Sequence, residues 1–397
     1  MCNKIIFLCF AITIALTYSC SESAPTQHWQ KGNLHTHSLW SDGDDFPEMI
    51  IQWYKDNHYQ FIALSDHNTI ADSEFWYKIR DRELENRTLE KYQKQFGDWV
   101  ETKTDTSGTY VRLKTYEEYR SKLEDPNSFL IIRSEEVTSS FEKKPVHINV
   151  TNIQEKIEPF KGTSVLDVMQ QTLDAVNAQR TSLNVPMFAH INHPNFGYGI
   201  SVDDMKKLNG ERFFEVYNGH PAVHNEGDDT RAGMEEMWDL VNVSYFREGK
   251  PLLLGIATDD SHNYHKKSTQ YSNPGRGWVM VNSKSLTRSA LIEALEAGNF
   301  YASSGIVLKH VYHTNKKLVV EIDPIAGVDY EIVFYGYQKN GDHVIELDRT
   351  TGTSASYTFQ KNDLFVRAKI NSNQKMENQY REGETVQAWT QPVLIES

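Results

Sequence analysis

Short apolar runs bounded by polar loops recur along the chain: Tyr59 to Leu64, Phe129 to Ile132, Val146 to Val150, Pro186 to Ala189, Phe213 to Val216, Pro251 to Ala257 and Trp278 to Val281. They are continuous rather than alternating, which predicts strands buried on both faces. Helical patterns fall between several of them. Ser164 and Asp167 form a capping pair, and Val165, Val168, Met169 and Val176 follow at helical spacing. Leu286 to Ala297 predicts another helix, ended by Gly298. Strands alternating with helices predict an α/β fold with a mostly parallel sheet or a β/α barrel. Active sites of such barrels lie at the C-terminal strand ends.

Two stretches break this rhythm. Residues 72–126 are charged and aromatic, and Thr115 with Glu118 makes a second capping pattern. They read as a helical insertion leaving the loop after His67, either a lid that excludes water or a passive decoration. Its Trp76 and Tyr77 read either as stacking surfaces for a sugar or base or as a buried helix face. Beyond Gly305 the strands Lys317 to Ile322, Tyr330 to Tyr335 and Leu364 to Ile370 mix alternating and continuous patterns, and Asn340-Gly341 is a hairpin-turn pair. Residues 306–397 therefore predict a small antiparallel β-domain, sandwich-like.

The N-terminus reads as a targeting segment over residues 1–20. Lys4 supplies a positive charge, and the apolar run Ile5 to Leu16 is too short to cross a bilayer, which takes roughly 20 residues. The run ends at Leu16-Thr-Tyr-Ser-Cys20, which resembles a bacterial lipoprotein signal with cleavage before Cys20 and a lipid on its sulfur. Thr17 departs from that motif, and ordinary secretion is the alternative. The expected location is the periplasm or outer membrane, with a lipid anchor at Cys20 and a tether over residues 21–27. All three cysteines (Cys2, Cys9, Cys20) lie in this segment, so disulfides play no part in the body of the protein. The length of 397 residues allows one large domain and a smaller one. A formal charge of −13 argues against a nucleic-acid surface.

The candidate chemistry sits at the ends of the apolar runs: His35-Thr-His37, Asp42, Asp66-His67, Glu136, His147, His193 and Asp260-Ser-His262. His35 and His37 are two apart on an extended segment and share a face. Gly43 permits a tight turn after Asp42. Imidazoles mixed with carboxylates and no thiolates suit Zn, Mn or Fe. His190 reads as a core histidine or a further ligand, and His220, His224 and His265 as solvated loop residues. Arg276, in Gly-Arg-Gly-Trp, has the fork that matches an anionic group, with a surface ion pair as the alternative.

The stretches Asn-Leu-His35-Thr-His37-Ser-Leu-Trp-Ser-Asp42-Gly and Leu-Ser-Asp66-His67-Asn-Thr resemble the opening motifs of the PHP (polymerase and histidinol phosphatase) superfamily. Glu136 in Ser-Glu-Glu136-Val-Thr, Val-His147-Ile-Asn, His193-Pro194 and Asp260-Ser-His262 follow in the family's order. The resemblance covers residues 28–305 and implies a distorted (β/α)7 barrel holding two or three divalent ions. It implies one ion on His35, His37, Glu136 and Asp260, a second on Glu136, His147 and His193, and a third on Asp42, His67 and His262. Relatives often have histidine at the place of Asp42, which alters the charge of the third site. The family pattern selects Glu136 over Glu135, and spacing to His262 selects Asp260 over Asp259. Asp66, beside His67, is a candidate to relay a proton or to orient a ligand. Asn218, in a Glu-Val-Tyr-Asn segment that resembles some relatives, is a candidate substrate contact, as is Arg276. The implied activity is hydrolysis of a small organic phosphate ester by hydroxide held on the ions. The insertion and C-terminal extension also resemble a branch that includes carbamate-ester hydrolases, so a carboxylic ester, amide or carbamate is the second reading. A surface lipoprotein that binds a ligand without turnover is the third.

Overall fold

The computed structural model describes residues 24–80 and 82–395. The leader expected over residues 1–20, with Cys20, lies outside the described residues, as does the first part of the tether. The opening elements are β1 (Trp29–Asn33), α1 (Pro47–Asp56) and β2 (Phe61–Leu64). An insertion follows with β3 (Phe75–Lys78), α2 (Glu83–Phe96), β4 (Thr102–Asp105), β5 (Gly108–Leu113) and α3 (Tyr116–Leu123). Next come β6 (Leu130–Phe141), β7 (Lys144–Thr151), α4 (Val165–Leu183), β8 (Phe188–Ile191), α5 (Val202–Lys207), β9 (Phe213–Asn218), α6 (Met234–Arg247), β10 (Leu254–Thr258), β11 (Trp278–Asn282), α7 (Arg288–Glu296) and β12 (Phe300–Ser303). The C-terminal part adds β13 (Leu308–His313), β14 (Lys317–Ile322), β15 (Tyr330–Gln338), β16 (Ile345–Thr351), β17 (Ser354–Thr358), β18 (Asp363–Lys375), β19 (Thr385–Thr390) and β20 (Val393–Leu394).

The fold is mixed α/β around one large sheet, but the strands do not close into the expected barrel. They pair in the open order β10-β9-β8-β7-β6-β2-β1-β11-β12-β19-β18-β15-β16, with β20 on β18. The reason lies at β1. It runs parallel to β2 on one edge and antiparallel to β11 on the other, from Trp29 opposite Asn282 to Gly32 opposite Val279. The edge that β10 would need is taken. β1 and β10 meet past their ends, where Thr36 bridges Ser261 and Asp260 N–H donates to His35 O at 3.1 Å. The sheet is also less parallel than predicted, because β7 is antiparallel to both β6 and β8.

Strands β2, β8 and β10 are buried along their whole length, as their continuous apolar runs require. Each fully buried Phe or Ile contributes about 1.5–3 kcal/mol. Ser164 caps α4, its Oγ accepting from Asp167 N–H at 3.0 Å. The insertion is not purely helical: β3, β5 and β4 form a three-stranded antiparallel sheet beside α2 and α3. In the C-terminal part, β13, β14 and β17 form a second sheet. Leu318, Val320 and Tyr357 from it share a buried core with Ile332, Phe334, Val366 and Ile370. The main sheet runs across residue 305 through the β12–β19 pair. No described helix is long and apolar enough to cross a membrane.

Candidate metal centre

The extended segment after β1 carries His35 and His37 side by side, and both are fully buried. His37 N–H donates to Ser261 O at 3.0 Å, which ties this segment to the one carrying Asp260 and His262. The chain then turns sharply at Gly43, where a Cβ would lie 2.4 Å from His37 O, so no larger residue fits. Asp66 and His67 follow the end of β2, and His67 bridges Glu136 on β6. Alternation along β6 sends Glu136 into the cluster and Glu135 to the other face, where it accepts from Ile157 N–H at 2.9 Å. His147 lies on β7 opposite Thr138. His193 and Asp260 follow β8 and β10 with positive φ angles of 21° and 48°. Such backbone is costly and concentrates at functional sites.

Glu136 is the hub. Its Oε2 lies 3.5 Å from His35 Nε2, 3.3 Å from His37 Nε2 and 2.8 Å from His67 Nδ1. Its Oε1 lies 3.0 Å from His147 Nδ1 and 3.6 Å from His193 Nε2. Asp260 Oδ1 is 3.2 Å from Nε2 of both His35 and His37, and its Oδ2 is 3.7 Å from His193. Asp42 Oδ1 is 3.3 Å from His262 Nε2, and Asp42 Oδ2 is 3.5 Å from His67 Nε2. All the residues singled out as metal ligands therefore meet in one cluster. His37 joins Asp42, His67 and His262 as a group able to hold an ion, a grouping absent from the expected ligand sets. The centre opens to solvent at Asp42, whose side chain is 55% exposed, beside His67 at 24%. A cavity of about 600 Å³ lined by residues such as Trp29, Arg212 and Tyr312 shares none with the cluster.

The donor set fits divalent cations. His35 Nε2 and His37 Nε2 face each other at 3.1 Å, a contact in which two lone pairs repel unless something positive lies beside them. Although Glu136 Oε2 lies 2.8 Å from His67 Nδ1 and His147 Nδ1 lies 3.0 Å from Glu136 Oε1, neither contact has hydrogen-bond geometry, and His37 Nδ1 is buried without a hydrogen-bond partner as well. Burial opposes the charge on Glu136, but His67, His35 and His147 outweigh it and hold the carboxyl well below its usual range. Asp260 is lowered too, against burial, by His35, His37 and His262. His67 goes the other way: burial opposes its charge, but Glu136 and Asp42 raise it to about 11. Burial, with His262 and His67 nearby, lowers His37 to about 3. Protons on part of the imidazoles thus balance the buried carboxylates, a balance that bound cations supply without protons.

Glu215, the acid of the Glu-Val-Tyr-Asn segment, is the functional residue that the sequence does not single out. It is fully buried. Its Oε1 accepts from His35 Nδ1–H at 2.6 Å and Thr258 Oγ–H at 2.7 Å, and its Oε2 from His193 N–H and Asn218 Nδ2–H, each at 2.8 Å. Holding the proton on Nδ1 turns the lone pair of His35 Nε2 toward Glu136 and Asp260. A carboxylate behind a ligating histidine fixes its tautomer and orientation. The available signal was one acid inside the apolar run Phe-Phe-Glu-Val.

The other candidates stand elsewhere. Asp66 accepts from Ser38 N–H at 2.7 Å, Ser38 Oγ–H at 2.7 Å and Ser41 Oγ–H at 2.6 Å. It clasps the loop between His37 and Asp42, and no cluster residue touches its carboxylate. Asn218 is fully buried and donates to Glu215 and to Asp260 Oδ2 at 3.2 Å, so it orients a ligand and offers a substrate nothing. Arg276 is also fully buried. It donates to the carbonyls of Gly219, Ser268, Tyr271, Asn378 and Gln379, which leaves no N–H for an anion. Asp259 accepts from the N–H groups of Gly275, Arg276 and Gly277 and from Tyr54 Oη. His190 is buried beside Glu215 with neither ring nitrogen bonded. His265 is not solvated: Thr88 Oγ and Asp44 O lie 2.9 and 3.0 Å from its Nε2. The insertion braces the Asp42 loop, since Trp40 Nε1–H donates to Lys114 O at 3.1 Å and Leu39 and Phe46 share a core with Tyr92, Val111 and Leu113. Its Trp76 lies under Lys103 at 4.0 Å.

No protein-family model matches the chain, and no curated protein matches it. Among solved structures it is similar to a two-domain protein from Bacteroides vulgatus described as containing a predicted PHP-like metal-dependent phosphoesterase. That likeness has 14% identity over 93% of this chain and 97% of the other, with a TM-score of 0.42. It is also similar to a candidate metal-dependent phosphoesterase from Bifidobacterium adolescentis, with 11% identity over 62% of this chain and 91% of the other and a TM-score of 0.31.

Proposed function

We propose that this chain is a metal-dependent hydrolase of PHP type that cleaves a small organic phosphate ester outside the cytoplasm. One observation carries the reading: Glu136 presents its two oxygens to two separate sets of imidazoles, His35, His37 and His67 on one side and His147 and His193 on the other. Two or three divalent ions, Zn, Mn or Fe, fit the donors. His35, His37, Glu136 and Asp260 would hold one, Glu136, His147 and His193 a second, and Asp42, His67 and His262 a third. Such ions lower the pKa of water to about 7 and stabilise charge on phosphoryl oxygens. The protein's own part is orientation. Glu215 sets the tautomer of His35, Asn218 steers Asp260, and Asp66 closes the loop that carries Asp42. The exposed Asp42 edge is where a substrate enters. The positive Lys4, the apolar run Ile5 to Leu16 and Cys20 favour an exported lipoprotein held to the membrane through Cys20.

The test is metal analysis of the purified protein, then turnover of nitrophenyl phosphate, bis-nitrophenyl phosphate and nitrophenyl carboxylic esters after loading with each ion. Turnover confined to phosphate esters is expected. Turnover confined to carboxylic esters would reassign the substrate class, and a protein that retains no metal would end the reading. Lipidation is checked by the mass of the peptide that begins at Cys20.

A further inference from the structure

His220 lies beside the cluster without belonging to it. It follows the end of β9 and is half-buried. Its ring centroid is 5.5 Å from that of His262 and 6.0 Å from that of Phe196. Phe196 in turn lies 5.1 Å from His193 and 6.0 Å from His147, so His220 borders the ligand His262 and is separated from His193 and His147 by Phe196. The loop fixes the residue twice. Its backbone N–H donates to Asn218 Oδ1 at 2.8 Å, and its Nδ1 accepts from Ala222 N–H at 3.1 Å. A backbone N–H can only donate, so Nδ1 must carry the lone pair and the ring proton must sit on Nε2. That Nε2–H has no hydrogen bond or ion pair among the described residues. The loop therefore presents a fixed, unused donor at the rim of a cluster otherwise rich in acceptors.

We propose that His220 is a substrate-binding residue whose Nε2–H donates to a non-bridging oxygen of the tetrahedral anion held over the cluster. The proposal rests on the phosphoesterase reading above. Charge grows on those oxygens in the transition state, and a donor that the loop already holds in place needs little reorganisation at the moment of reaction. Phe196 leaves the neighbouring surface apolar, which strengthens a hydrogen bond made beside it.

Two substitutions in the full chain separate recognition from scaffolding. In His220→Asn the amide oxygen still accepts from Ala222 N–H, as in an Asx turn, but the donor at the reach of Nε2 is gone. In His220→Gln a longer amide restores an N–H near that position. Binding of inorganic phosphate to the metal-loaded protein is followed by calorimetry, alongside kcat and KM for nitrophenyl phosphate, metal content and melting temperature. His220→Asn is expected to lower kcat/KM about 10²–10³-fold and to weaken phosphate binding, with metal content and melting temperature unchanged. His220→Gln recovers part of both. Wild-type phosphate affinity and turnover in His220→Asn would overturn the role of His220 alone, as would equal losses in both variants. A metal-loaded wild type that neither binds phosphate nor cleaves a phosphate ester would overturn the functional reading and this inference with it.

Discussion

Asp259 and Asp260 are neighbours in sequence and lead into regions of opposite character. Around Asp259 donors and acceptors balance: three backbone N–H groups, Tyr54 and Asn33 all give to its carboxylate, and Arg276 next to it spends its guanidinium on loop carbonyls. Around Asp260 they do not balance. Imidazole nitrogens and carboxylate oxygens crowd together, and Glu136 Oε2, His37 Nδ1 and His147 Nδ1 make no contact with hydrogen-bond geometry. Buried polar atoms in folded proteins are almost always paired, so an excess of acceptors in one place marks a site shaped for cations. The same residue types make a staple in one region and a cage in the other.

The largest effect should come from the hub of the cage. Glu136→Gln is expected to bring activity to background and to lower the metal content. Stripping ions from the wild type should lower its melting temperature, because a ligand at 100 times its Kd adds about 2.7 kcal/mol of stability. Returning the ion should restore it. A chelated protein with unchanged melting temperature, and a Glu136→Gln variant with unchanged metal content, would make the cluster an ordinary polar network like that of Asp259.

The staple should fail differently. Arg276→Met and Asp259→Asn each strand buried hydrogen-bonding partners, at a cost of about 1–3 kcal/mol for each group left unsatisfied. Denaturant unfolding measures this, and the folded fraction should keep its full complement of metal. Were Arg276 a substrate contact, Arg276→Met would instead raise KM and leave the unfolding midpoint in place.

Much of the cage was legible because its ligands fall in short clusters at the ends of apolar runs, where a buried strand meets solvent. What escaped is tertiary. Glu215 carries no local motif, and only the folded pairing of β9 with β10 brings it under His35. The antiparallel course of β7 escaped for a local reason. The β6–β7 hairpin turns through Glu142 and Lys143, with φ of 48° and 68°, so it lacks the Asn-Gly pair that signals such a turn. Without that signal β7 read as one more parallel strand. Arg276 was misread because sequence shows a guanidinium but not the five carbonyls waiting for it.

A smaller effect lies between cage and staple. Asp66 satisfies its carboxylate within the loop it closes, yet that loop carries His37 and Asp42. Asp66→Asn should lower metal affinity or activity about 10–100-fold. Loss of turnover with metal affinity intact would instead make Asp66 a proton carrier, and the line between orienting residue and reacting residue would move.

The smallest effect compares two acids near the ends of one strand. Glu215 has His35 and His190 beside it, and against the cost of burial they hold its carboxyl below the usual range. Glu211, just before β9, is buried with no such partners; its Oε2 has no hydrogen bond, and burial raises it to about 8 although the N–H groups of Phe213 and Arg212 oppose the shift. The signs are therefore opposite. Below the ordinary value of 4.5 Glu211 is protonated in both folded and unfolded chains. Between there and about 8 the unfolded chain ionises while the folded one keeps its proton, so Glu211 withdraws stability as the pH rises, and the loss levels off above about 8. Glu211→Gln removes this slope. Thermal unfolding should show the variant gaining on the wild type between pH 5 and pH 8, by about 1–3 kcal/mol, the usual cost of an unsatisfied buried group. Glu215→Gln should bring no such gain and should weaken metal binding about 10–100-fold. If Glu211→Gln were instead destabilised across that range, Glu211 would belong with Glu215 among the paired acids, and the contrast along β9 would fail.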